Sequence, residues 1–135
     1  MLFRSWAIDW QKHNKNYDPV KEIFSYYGPL HRVAQSVDIV PPSASLSEYK
    51  LVVAPGLNML TEEDAKNLTQ YINNGGHLVL GQRSAMKDAD NGLWPQRQPG
   101  ALTDLLGGRV EQYYALVEPA PIEGKWGTGE SPLWA

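Results

Sequence analysis

An α/β domain with parallel strands is predicted by three features of the sequence. Leu51-Val52-Val53-Ala54 is apolar and β-branched without polar alternation, the pattern of an interior parallel strand buried on both faces. Thr61-Glu62-Glu63-Asp64 opens a helical pattern through Ala65, Leu68 and Ile72, and parallel strands need such a crossover. His77-Leu78-Val79-Leu80-Gly81 is a second apolar run, so strand, helix and strand follow one another by short joints, the doubly wound signature.

The remaining elements follow in order. Leu2-Phe3-Arg4-Ser5-Trp6-Ala7-Ile8-Asp9-Trp10 is aromatic but too short for the opening strand and turn of such a domain, which points to a missing upstream piece. Asp18-Pro19 is a helix start, with Asp18 as N-cap and Pro19 at the first helical position. Val20, Ile23, Phe24, Tyr27 and Leu30 form one stripe at helical spacing, expected to cover a sheet face. Gly28-Pro29 is expected to kink or split this helix, because an interior proline costs about 3 kcal/mol. Val37-Asp38-Ile39-Val40 reads as a short strand stopped by Pro41-Pro42, and Ala44 to Glu48 as a polar joint to the central strand, itself stopped by Pro55-Gly56.

Gly75-Gly76 supplies the left-handed stop of the helix from Glu62 to Asn74. From Gln82 to Gly100 there is no periodicity, and loops of that length in compact domains are commonly functional or interfacial. Leu102 to Leu106 reads as a short helix closed by Gly107-Gly108, and Arg109 to Leu116 as a late strand. The tail beyond Pro119, rich in glycine and proline with two tryptophans, needs a surface to lie against.

A chain of 135 residues suits one domain, 1–135, able to bury roughly two-thirds of its unfolded surface without staples. A net charge of -3 gives no basic field for duplex binding, so nucleic acid is not an expected partner. Without cysteine there is no disulfide, thiolate nucleophile or cysteine-held metal. No apolar run approaches about 18 residues and the N-terminus lacks a signal-peptide core, so neither membrane nor export is expected and a cytoplasmic location is. Asn67-Leu68-Thr69 has the form of a glycosylation acceptor but falls inside a predicted helix.

Few side-chain constellations carry chemistry. His13, His31 and His77 lie far apart with no second ligand at metal spacing. Asp88-Ala89-Asp90-Asn91-Gly92 has its glycine one position early for a calcium loop, with Pro99 where a glutamate belongs. Ser84 follows a strand, as a hydrolase nucleophile does, but Gly81-Gln82-Arg83-Ser84-Ala85-Met86 lacks the second glycine of that elbow. Gly124-Lys125-Trp126-Gly127-Thr128-Gly129 neither follows a strand nor opens a helix, and reads as a loop. What remains is the loop from Arg83 to Asp88, at the carboxyl end of a central strand where open α/β sheets bind ligands. Arg83, Ser84, Lys87 and Asp88 are candidates for a crevice or interface there, with internal or intersubunit pairing of Arg83 and Asp88 the preferred reading. Trp6 and Trp94 join them, because the chain has more aromatics than its core can use and interfaces are enriched in them.

Arg4-Ser5-Trp6-Ala7-Ile8-Asp9-Trp10-Gln11-Lys12-His13, Tyr26-Tyr27-Gly28-Pro29-Leu30, Val37-Asp38-Ile39-Val40, Tyr49 to Pro55, Gly75 to Leu80 and Arg83 to Asp88, in that order, resemble the trimerisation domain of family 42 glycoside hydrolases, the β-galactosidases. The resemblance implies a flavodoxin-like three-layer sandwich, akin to class I glutamine amidotransferases, with a mostly parallel sheet, helices on both faces and a first strand cut short to Met1-Leu2-Phe3. It implies a fragment of a longer chain whose catalytic glutamates belong to a separate (β/α)8 barrel. No catalytic, cofactor-binding or metal-binding residue is carried over, and the amidotransferase cysteine has no counterpart. The expected function is therefore non-catalytic trimerisation, with other copies of the chain and the parent barrel as partners and no cofactor. The alternatives are a small amidotransferase-like or hydrolase enzyme using Arg83 to Asp88, and a sugar-binding accessory domain using tryptophans.

Overall fold

The computed structural model describes residues 15–113, together with the backbone of 124–126 and 129–131. Expectations that rest on Trp6, His13, the aromatic opening segment and most of the tail lie outside these residues.

Helix α1 (Pro19–Val33) starts as its sequence dictates: the Asp18 carboxylate accepts from the backbone N–H groups of Val20 and Lys21 at 2.9 and 3.1 Å. The expected break at Gly28-Pro29 does not occur, and the helix runs through Pro29 to Val33. Pro29 and Ser25, the residue whose carbonyl loses its helical donor, are both exposed. The apolar stripe is only partly covered, with Val20 49% and Phe24 60% exposed.

The two strands β1 (Leu51–Ala54) and β2 (His77–Leu80) pair in parallel, Leu51 opposite His77 and Ala54 opposite Leu80. Between them runs α2 (Glu62–Asn73), whose capping box is complete, Thr61 Oγ1 accepting from Asp64 N–H and the Asp64 carboxylate from Thr61 N–H. Gly75, at φ +91°, then reverses the chain. Gly76 is required for space, because a Cβ there would come within 2.2 Å of the Tyr71 ring. The Tyr71 hydroxyl bonds the Tyr49 carbonyl at 3.0 Å and receives His77 N–H at 3.2 Å, fastening the end of α2 to the starts of both strands.

The core joins Val52 and Ala54 of β1 with Ala65, Leu68 and Tyr71 of α2 and with Leu46, Leu57, Leu60, Ala85 and Leu102 from the connections. Burial of both strand faces is not achieved. Leu51 and Val79 remain 45% and 44% exposed, because the packed layer of α2 covers the alternate residues. Val37 to Val40 forms no strand; a groove of about 430 Å³ is lined by Tyr27, Leu30, Val37 and Val40 together with residues of β1.

The aperiodic segment is pinned by isolated bridges, Lys87 with Met59 and with Leu93. A 3₁₀ turn (Gly100–Leu102) leads into α3 (Thr103–Leu106), closed by Gly107 at φ +63°. Residues 109–113 form no strand; the bond from Val110 N–H to the Gln98 carbonyl at 2.7 Å and the contacts of Arg97 with Glu111 tie them to the preceding connection. The predicted loop at Gly124 is instead the hairpin strand β3 (Gly124–Trp126), antiparallel to β4 (Gly129–Ser131).

Candidate functional site

Both parallel strands end at the same level, and the turns beyond them define a crevice. Gly81 N–H reaches the Ala54 carbonyl at 2.8 Å, and a Cβ on Gly81 would lie 1.8 Å from the Pro55 carbonyl oxygen, so only glycine lets the two chains approach there. Next come Arg83 and Ala85 at φ +59° and +53°, both in the left-handed region that side chains disfavour. The turn is held in this shape by hydrogen bonds from three donors. Asn58 Nδ2 donates to the Arg83 carbonyl at 3.1 Å, Ala85 N–H to the Leu57 carbonyl at 2.7 Å, and Ser84 Oγ to the carbonyls of Gly81 (2.9 Å) and Ala54 (3.3 Å).

Ser84 is thus the clasp of the elbow. It is 1% exposed, its hydroxyl donates to backbone carbonyls, and His77 opens β2 at the opposite end of the strand. The residue lifted by the turn is Arg83, whose guanidinium lies 5.2 Å from the centre of the Tyr113 ring. Burial pushes the Tyr113 phenol up while the Arg83 charge pulls it back. Tyr17, with its hydroxyl against Gly56 beyond β1, is raised by burial and by Glu22, and Arg83 again opposes the shift.

The other predicted residues separate. Lys87 is 8% exposed and turned inward, Nζ donating to Asn91 Oδ1 at 2.7 Å. The Asp88 carboxylate accepts from Asp90 and Gly92 N–H at 2.9 and 2.8 Å and shapes its own turn. Within the chain Arg83 and Asp88 do not pair; among the described residues the ion pairs are Arg97 and Arg109 with Glu111. Trp94 packs against Gly100 and stands in the wall of a different groove, of about 870 Å³, between α2 and the 94–104 connection. Tyr17 and Asn58 escaped the sequence reading. An aromatic just before the N-cap of α1 was the one available signal for Tyr17, and Asn58 had none.

Among the described residues no three His, Asp or Glu side chains gather to hold a metal, and no helix is long and apolar enough to cross a membrane.

Comparison with known proteins matches residues 3–132 to the family described as the β-galactosidase trimerisation domain. The β-galactosidase Bga of Halorubrum lacusprofundi is 45% identical over 111 residues, 82% of this chain and 16% of that protein. BgaB of a Geobacillus species is 38% identical over 135 residues, 96% of this chain and 20% of its own length. In solved structures, the Halorubrum lacusprofundi β-galactosidase superposes with a TM-score of 0.79 at 42% identity, over 87% of this chain and 18% of that one. The β-galactosidase of the psychrophilic Marinomonas ef1 gives 0.77 at 31% identity, over 93% and 19%. The chain spans about a fifth or less of these relatives.

Proposed function

Because the chain belongs to the β-galactosidase trimerisation domain family, we propose that residues 1–135 are one non-catalytic assembly module. It holds three copies of a longer β-galactosidase together, beside a barrel domain that hydrolyses terminal β-galactosides. The family match across residues 3–132 carries this reading. The state of Ser84 supports it against a hydrolase, since a nucleophile needs an accessible hydroxyl and a neighbouring base, and Ser84 has its hydroxyl on two carbonyls. The proposal includes the flavodoxin-like three-layer sandwich, a cytoplasmic location, and Arg83, Asp88, Trp6 and Trp94 near subunit or barrel contacts.

Light scattering of the purified chain across concentration tests it. Three times the 15.1 kDa chain mass is expected at the upper end; a monomer throughout would defeat assembly by the module alone. A galactosidase assay of the same sample is expected to give no turnover above an empty-vector control.

A second reading, sugar binding, has the groove beside Trp94 in its favour, with Gln70, Asn73 and Asp104 offering hydrogen bonds around an aromatic wall. Galactose titration followed by tryptophan fluorescence separates the two: a saturable change favours the sugar site, a flat response the module.

A further inference from the structure

The sequence holds two Asn-Gly pairs, Asn74-Gly75 and Asn91-Gly92, and the fold surrounds them differently. At such a pair the glycine nitrogen has no side chain beside it to hinder attack on the preceding side-chain carbonyl. Gly75 N–H donates to the Ile72 carbonyl at 2.9 Å, a neutral acceptor. Gly92 N–H instead donates to the Asp88 carboxylate at 2.8 Å, within the reach a base needs for the proton it takes. Glycine is also what admits that carboxylate, since a Cβ at Gly92 would stand 3.0 Å from Asp88 Oδ2.

The carbonyl under attack is prepared as well. Lys87 Nζ donates to Asn91 Oδ1 at 2.7 Å, which sets a positive charge against the oxygen that becomes negative as the new bond forms. Lys87 is 8% exposed and enters no ion pair among the described residues, so its charge is little screened by water and has no carboxylate to neutralise it. The turn that carries base and cation is closed by Asp88 N–H on the Gly92 carbonyl at 2.8 Å and by Asn91 N–H on the Asp88 carbonyl at 3.3 Å, with Asn91 at φ +65°. Reacting groups held in place in this way need no ordering before they meet.

We propose that Asn91 is a self-modification site, deamidated by the Gly92 backbone nitrogen, with Asp88 taking the proton and Lys87 stabilising the oxyanion. The nitrogen bonds to Asn91 Cγ, its proton passes through the Asp88 carboxylate to the side-chain amide, and the Cγ–Nδ2 bond breaks to release ammonia. Water then opens the cyclic imide at either carbonyl, leaving aspartate or isoaspartate. Opening to aspartate turns the amide oxygen on Lys87 into a carboxylate oxygen and gives the buried ammonium its counter-charge. The site is complete within one copy of the chain and goes beyond the assembly function.

The test incubates the purified 135-residue chain at mildly alkaline pH and digests it with trypsin, which cuts after Lys66, Arg83, Lys87 and Arg97 and so puts the two pairs in separate peptides, 67–83 and 88–97. Mass spectrometry is expected to show the amide-to-acid mass gain, localised to Asn91 by fragmentation, accumulating at least tenfold faster in 88–97 than in 67–83. In guanidinium chloride, where the turn is lost, the two rates should converge. Asp88→Ser keeps an acceptor for the turn but no charge, and should slow the folded reaction at least tenfold. Should it fail to fold, Lys87→Gln, which keeps a donor to Asn91 without the charge, takes its place. Equal rates at both pairs in the folded chain, no conversion at Asn91, a rate difference that persists in guanidinium chloride, or an unaltered rate in the variant overturns the proposal.

Discussion

Gly81 and Gly107 are both closing glycines in the sequence, yet they are needed for different reasons. At Gly107 a Cβ would meet nothing within 4 Å, and only φ +63° favours glycine, so Gly107→Ala is expected to cost about 1 kcal/mol. At Gly81 the obstacle is the Pro55 carbonyl itself, which cannot swing away as a side chain would. Gly81→Ala should therefore cost about 3 kcal/mol or more, by parting the ends of β1 and β2. Urea unfolding of the two variants measures the difference, and equal losses would refute the close-approach argument. The raised phenols of Tyr17 and Tyr113 make a second prediction. Folded Tyr17 and Tyr113 keep their protons at a pH where unfolded tyrosine, with a pKa of about 10, releases them. Below that pH both states are protonated and stability is unaffected; above it the unfolded chain is favoured, so stability falls as pH rises. Melting temperatures from about pH 8 to about pH 11 should show the decline, and Tyr17→Phe and Tyr113→Phe should each make it shallower.

The two long helices begin with equally readable caps but carry different weights. Of α2, Asp64, Ala65, Leu68 and Tyr71 are buried; of α1, only Pro19 is. Thr61→Ala is expected to lower global stability by about 1 kcal/mol, because α2 cannot loosen without opening the core. Asp18→Ala should instead speed amide exchange along α1 with little change in the urea midpoint. A matching fall in midpoint for both would show that α1 is as integral as α2. The same contrast explains what was legible in the sequence. Caps, glycine stops and apolar runs are local signals, and they located α1, α2, α3, β1 and β2. Val37 to Val40 had a strand's composition, but pairing depends on a neighbour, and the segment forms no strand. At the site, position alone singled out Arg83 to Asp88. The backbone then sent Arg83 outward and Ser84 and Lys87 inward, a division set by two left-handed residues that composition does not announce.

Taken whole, the described part of the chain leaves apolar surface where a self-sufficient monomer would not. Phe24 and Val20 stand 60% and 49% exposed one helical turn apart on α1, and Phe24 meets Tyr27 edge to face at 6.4 Å, extending the patch along the helix. On α2, by contrast, the exposed residues Glu62, Glu63, Lys66, Gln70 and Asn73 are polar. If copies associate through the apolar side, Phe24 is among the groups buried, and full burial of a phenylalanine stabilises by about 1.5–3 kcal/mol. Replacing it by glutamate loses that term and places a charge in the contact. Phe24→Glu is therefore expected to weaken self-association at least tenfold while the dilute protein melts as before, since the native phenylalanine contributes little to the core. Lys66→Glu, a charge change of similar kind on the polar helix, should leave the association constant unaltered. Sedimentation velocity of the three proteins over a range of concentrations reads both effects, and unchanged assembly in Phe24→Glu would move the subunit contact off α1.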